Sequence, residues 1–203
     1  MNKDIIGLVS GVIVIISVVP YAIRTWQAKI PPNPTSWGLW TVIGLVLLLT
    51  FYSSGAKANL WPVVFGFTNP LLIFILLLRN RAKWKKFENL EYVCLVVTLI
   101  SLWMWLRMHD KEELAQYALY AAILADICAA IPTIAFVWRF PLEDRPFAWV
   151  LFSTGYGLSI FAISEHTFSN YILPACIIIV CSSISFPLII YRIRARTPLK
   201  EWM

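Results

Sequence analysis

Two polar residues fall at the centres of long apolar stretches, and they define the chemistry open to this chain. Asn69 sits in Phe67-Thr68-Asn69-Pro70. Its amide offers two donors and an acceptor, which suits a neutral hydroxylated or amide-bearing solute. The bland alternative is a hydrogen bond to a neighbouring helix or to backbone freed by Pro70, worth about 0.6 kcal/mol on average in a membrane. Asp126 is the single acid deep in any stretch. Placing it there costs roughly 2.5 to 3.5 kcal/mol near a helix centre. One reading makes it a proton-coupling carboxyl, and the other makes it a tie between helices. Thr133 follows seven residues later, on the same helical face, placed to share hydrogen bonds with it.

Other candidates group around these two. Cys181 and Ser182 lie mid-stretch near the C-terminus, while Tyr52, Trp61 and Phe65 are aromatic candidates for lining a path. Pro20, Pro62, Pro70, Pro132 and Pro174 fall inside apolar stretches, where each removes a backbone hydrogen bond and bends its helix. Pro20, Pro62, Pro132 and Pro174 are the hinge candidates. Trp26, Trp37, Trp138 and Trp149 are expected to form an aromatic belt at the membrane interface. The default for Glu143, Asp144 and Arg145 is a solvated loop, with a latch on an inner gate as the alternative.

The elements that must position these residues follow from composition. The 203 residues are 60% hydrophobic and 14% charged, against about a quarter charged in soluble domains. An integral membrane protein is expected, with the N-terminal apolar segment retained because no A-x-A-like cleavage site follows it. A helix needs roughly 20 apolar residues to cross a bilayer, and seven such runs occur, near 4–26, 35–53, 58–79, 90–107, 114–138, 146–164 and 170–192. Pro31, Pro32 and Pro34 separate the first two, and Asp110 with Glu113 resembles a capping box opening the fifth.

Basic residues set the expected orientation. Lys3, Lys57, Arg107 and Lys111 fall at one end of the spans, and the other thirteen lysines and arginines, from Arg24 to Lys200, at the other. Short cytoplasmic loops carry the basic excess, so the C-terminus is expected in the cytoplasm and the N-terminus outside. The net charge of +6 is read as topology rather than as a nucleic-acid patch. The same rule explains the run from Arg79 to Lys86, which includes Lys85, in full; contacts to anionic lipid head groups are the alternative.

The chain also repeats itself. At an offset of 112 residues Pro20 falls on Pro132, Trp26 on Trp138, Pro34 on Pro146, Trp37 on Trp149 and Pro62 on Pro174. Composition alone supplies on the order of half such a coincidence. Three spans per copy is an odd number, so the intervening fourth span lets both copies run the same way. The expected fold is all-α, seven transmembrane helices arranged 3+1+3 as parallel three-helix-bundle repeats. Residues 1–80 form the first repeat, 81–112 a basic loop and linker helix, and 113–203 the second repeat with a basic tail.

This layout, with Pro20-Tyr21, Lys29 and Ser36-Trp37 in the first copy and Pro132-Thr133 in the second, resembles the SWEET, PQ-loop and SemiSWEET transporter superfamily over essentially the whole chain. The resemblance implies alternating access through a central path. It places Asn69 against a substrate, and Asp126, on the fifth helix, as a proton-binding carboxyl. Similar proteins usually carry a second Asn on the seventh helix, where this chain has Cys181. Arg24 to Trp40, with Asp126, Pro132-Thr133, Pro141 and Glu143, is also similar to a group of bacterial membrane proteins, which implies a bacterial inner membrane.

The expected partners are a small-molecule substrate, sugar-like or another small metabolite, together with lipid and protons; a homo-oligomer stays open. Neither a cofactor nor a metal is expected. Cys94, Cys128, Cys176 and Cys181 lie in apolar stretches without ligand spacing, and the two histidines, His109 and His166, are too few for a site. No nucleophile–base pair supports an enzyme, and the seventh span lacks the lysine a retinal Schiff base needs. The competing expectation is a seven-helix receptor or scaffold of the same fold, as the KDEL receptors are, which binds a ligand without moving it.

Overall fold

The computed structural model describes residues 2–30, 33–56, 58–84, 86–199 and 202. Pro31, Pro32, Lys57, Lys85 and Lys200, named above, lie outside the described residues. Those described form seven α-helices and no strand: α1 (Lys3–Trp26), α2 (Pro34–Ser53), α3 (Trp61–Arg79), α4 (Asn89–Met108), α5 (Glu112–Arg139), α6 (Pro146–Ser159) and α7 (Phe168–Arg194).

Local chemistry starts several of them. The Asn2 and Asn33 side chains accept from the backbone N–H groups of Asp4 and Thr35, capping α1 and α2. Pro34 and Pro146 open α2 and α6, where a missing N–H costs nothing. The capping box lies at α4, between Glu88 and Glu91. Asp110 forms none: α5 starts after Lys111 without a side-chain cap, and the Asp110 carboxylate lies 3.0 Å from His109 Nδ1. Pro62 likewise opens α3 instead of interrupting it, because the preceding Ala58–Leu60 is a separate 3-10 turn.

Six helices are long and apolar enough to cross a membrane, which makes this an all-α membrane protein; α6 with its continuation Ile160–Ala162 is shorter. That continuation is 3-10 helix. Its steeper rise brings the 17 residues to about 27 Å, near the thickness of a thin hydrocarbon core.

Around the molecule, neighbouring helices follow the order α1, α3, α2, α5, α7, α6 and back to α1, with α4 packed outside against α5 and α2. Small residues allow the close crossings. A Cβ on Gly155 of α6 would stand 2.5 Å from Val14 Cγ2 and 2.8 Å from the Ser10 carbonyl of α1, so only glycine permits this approach. Hydrogen bonds attach α4: Ser101 Oγ donates to the Ala118 carbonyl of α5, and Trp105 Nε1 to Ser53 Oγ of α2. Elsewhere hydroxyls such as Ser10, Ser17, Thr50 and Thr98 bond back to their own helix, which lets them sit in an apolar core.

Candidate functional site

Alternating chain direction gathers the ends of α1, α3, α5 and α7 and the starts of α2, α4 and α6 at one end, which carries most of the basic residues. A cavity of about 740 Å³ opens there and takes lining residues from all seven helices. On α1 its lining begins at Ser17, on α5 at Asp126 and on α7 at Ile177; along α2 and α3 it reaches Leu47 and Val63. Toward the other end lie the α1–α6 glycine contact and the Trp61–Phe65 pair, with ring centroids 6.1 Å apart, packed against Gly11.

Three of the candidate residues meet at the cavity floor, each halfway along its helix: Asn69 on α3, Asp126 on α5 and Cys181 on α7. Asn69 is buried, and its Nδ2 donates to the Val14 carbonyl at 2.9 Å. The same carbonyl accepts from Ser17 Oγ at 2.6 Å. Asn69 therefore does tie α3 to α1, while its amide oxygen has no protein partner among the described residues. Asp126 ties nothing: among the described residues its carboxyl has neither a hydrogen bond nor an ion pair. Tyr156, Cys181 and Cys94 stand within electrostatic range of it. Thr133 lines the cavity on the Asp126 face, but no hydrogen bond joins the two.

Pro20 and Pro132, inside α1 and α5, both border the cavity. Pro174 interrupts α7 without reaching it, and Pro187, inside α7, escaped the sequence reading. Four expected lining residues lie elsewhere, Trp61 among them, stacked on Phe65. Tyr52 is 66% exposed on the outer surface, Phe65 packs on Gly11, and Ser182 faces outward. One residue of helix turns a side chain by about 100°, so a buried Cys181 at the cavity puts Ser182 on another face.

The belt reading divides in the same way. Trp26 and Trp138 are 59% and 55% exposed, whereas Trp37 and Trp149 border the cavity. With Tyr21 and Trp40 they make a continuous aromatic run: centroids are 5.1 Å apart for Tyr21–Trp37, 5.4 Å for Trp37–Trp40 and 6.2 Å for Trp40–Trp149. Trp40 was legible in principle, since it stands three residues after Trp37 and so shares its face.

The mouth is built rather than solvated. Arg192 of α7, 3% exposed, donates from Nη1 to the Pro141 carbonyl at 2.8 Å and from Nη2 to the Asp144 carbonyl, fixing the loop between α5 and α6. Asp144 accepts from the Arg145 N–H at 2.7 Å and from Trp149 Nε1 at 2.9 Å. Burial pushes its carboxyl above the ordinary aspartate value, against the pull of those hydrogen bonds and of Arg192 and Arg145. On the opposite rim Glu91 accepts from Ser36 Oγ at 2.6 Å and from the Glu88 N–H, joining the starts of α4 and α2. By sequence alone Arg192 is one of thirteen basic residues that set topology, and nothing marks Glu88 or Glu91 as belonging to a site.

Compared with known proteins, the chain matches no family model, no curated protein and no solved structure.

Proposed function

We propose that the protein is an alternating-access carrier of a small polar solute, built from two parallel three-helix repeats, α1–α3 and α5–α7, joined by α4. The carrying observation is the cavity: it enters from the basic end, takes lining from all seven helices to mid-helix and beyond, and holds at Asp126 a carboxylate without a partner among the described residues. An uncompensated acid at membrane depth marks a substrate or proton path far more often than a structural element.

The repeat reading has its own support. Exchanging α1, α2 and α3 with α5, α6 and α7 leaves the order of neighbours unchanged, including the contacts α1–α6 and α2–α5 that join the two halves. Residues 112 apart also play matching parts. Pro20 and Pro132 border the cavity, as do Trp37 and Trp149. Asn80 donates to the Thr25 carbonyl where α1 ends, and Arg192 to carbonyls just beyond the end of α5. Rocking at Pro20 and Pro132 would close the open end while the α1–α6 contact parts. The lysines and arginines of the basic end support a cytoplasmic orientation for it, and the resemblance described above points to a bacterial inner membrane. Asp126 is the proton-coupling group in this reading, with a proton bound in one access state and released in the other.

Uptake into proteoliposomes, with and without a pH gradient, tests this. Wild-type uptake is expected to follow the gradient, Asp126→Asn to lose that dependence, and Asn69→Ala to take up less. A ligand that binds but never enters would favour the receptor reading instead.

A further inference from the structure

The charge inside the cavity contrasts with that of the whole molecule. The chain has 17 basic and 11 acidic residues, a net +6. Among the described residues, the acids Glu88, Glu91, Asp126, Glu143 and Asp144 line the cavity, and of the basic residues Arg24 and Arg145 do. Five negative charges against two positive give a formal −3 among the described lining residues; Glu88 and Glu143 are exposed at the rim, while Glu91, Asp126 and Asp144 lie deeper, where low-dielectric walls focus the field and concentrate cations. The hydrogen bonds that Glu88, Glu91 and Asp144 accept come from N–H and O–H groups and leave their charge in place. With Asp144 protonated, and with the buried Arg192 behind it counted, four acids still face three arginines.

Two further features point the same way. The wall between mouth and floor is the run Tyr21, Trp37, Trp40 and Trp149, and the faces of such rings attract cations, indole most strongly. At the floor the Asp126 carboxylate has no counter-charge among the described residues. A neutral sugar would use neither the field nor the carboxylate, and an anion would be repelled by both. Resting on the carrier reading of this cavity, we infer that its solute is an organic cation, a protonated or quaternary amine, with Asp126 as counter-ion and the aromatic run as its way in. A volume of about 740 Å³ suits a small metabolite rather than a peptide chain.

N-methylpyridinium, a small cation that quenches indole fluorescence on contact, tests this on the purified protein in detergent. Quenching is expected to saturate, and to be half complete at a concentration roughly tenfold or more below that needed with neutral acrylamide, with iodide weaker still. Asp126→Asn should weaken the saturable component by roughly tenfold or more, Asp126→Glu should restore it, and Trp40→Phe should reduce its amplitude. Linear quenching no stronger than that by acrylamide, or saturation that Asp126→Asn leaves unchanged, overturns the inference. The carrier reading fails separately. Saturable binding without uptake of labelled N-methylpyridinium into proteoliposomes would sink transport and keep the cation site, whereas uptake of a sugar without cation binding would do the reverse.

Discussion

Asp144 shows how one position can be charged by sequence and opposed by structure. Its carboxyl is buried beneath the mouth, and burial raises its pKa above the value in the unfolded chain. The folded state therefore holds the proton more tightly than the unfolded state. The sign follows directly: stability is greatest at pH below the unfolded value, about 3.9, and declines as pH rises toward the folded pKa. Asp144→Asn keeps an acceptor for one of the two donors, Trp149 Nε1 or the Arg145 N–H, and removes the desolvated charge. Melting temperatures in detergent from pH 4 to 8 should fall with rising pH for wild type and stay flatter for the variant, which is expected to be no less stable at pH 7. A wild type that gains stability with pH would mean that Arg192 and Arg145 outweigh the burial. Asn69 carries a double lesson at this scale, since one half of its amide ties two helices and the other half is left for the cavity.

Between helices, the loop after α5 depends on a residue 48 positions further along the chain. Arg192 lies in the last turn of α7, and its guanidinium spreads over carbonyls at Pro141, Leu142 and Asp144. Hydrogen bonds from a charged donor contribute about 1.5 to 3 kcal/mol each, and loss of the donor leaves buried acceptors unsatisfied. Arg192→Leu, which keeps much of the volume, is expected to lower stability by roughly 2 to 4 kcal/mol and to make residues 140–145 susceptible to protease. Melting and limited proteolysis of the variant check both. The equivalent contact from Asn80 to Thr25 uses a neutral amide, and Asn80→Ala should cost less, about 1 kcal/mol. The start of α6 belongs to the same arrangement, because Trp149 reaches back to Asp144 while its ring ends the aromatic run.

For the whole molecule, the proposal with the widest consequences is that the cavity opens at the basic end and not at the other. Ala129 of α5 lines it, three residues beyond Asp126. In a background with the four native cysteines replaced, Ala129→Cys in oriented membranes should react with a water-soluble cationic thiol reagent from the cytoplasmic side and resist it from the other. Equal reaction from both sides would remove the closed end, and reaction from the opposite side alone would invert the orientation. The same accessibility measured during transport would report the alternation that Pro20 and Pro132 are proposed to hinge.

Much of this protein is legible without its fold. Span length and mean hydropathy are properties of consecutive residues, so the run of apolar segments, and the breaks at Asn33-Pro34, Ser53-Ser54 and Arg145-Pro146, could be read in order. The 3-10 turns before α3 and after α6 could not, because hydropathy does not register a change in rise per residue. The capping box at Glu88 was missed and one at Asp110 expected, since a cap is decided by where the chain turns, and the two acidic clusters look alike on paper. Above all, hydropathy is indifferent to rotation about a helix axis. Each residue advances about 100°, so whether Tyr52, Phe65 and Ser182 face the path or the lipid rests on contacts between helices distant in sequence. Only the tertiary structure brought Glu88, Glu91, Asp126, Glu143 and Asp144 to one cavity, from three separate parts of the chain. A charge pattern in space follows from packing, whereas the sequence by itself determined that this chain lives in a membrane and where it turns.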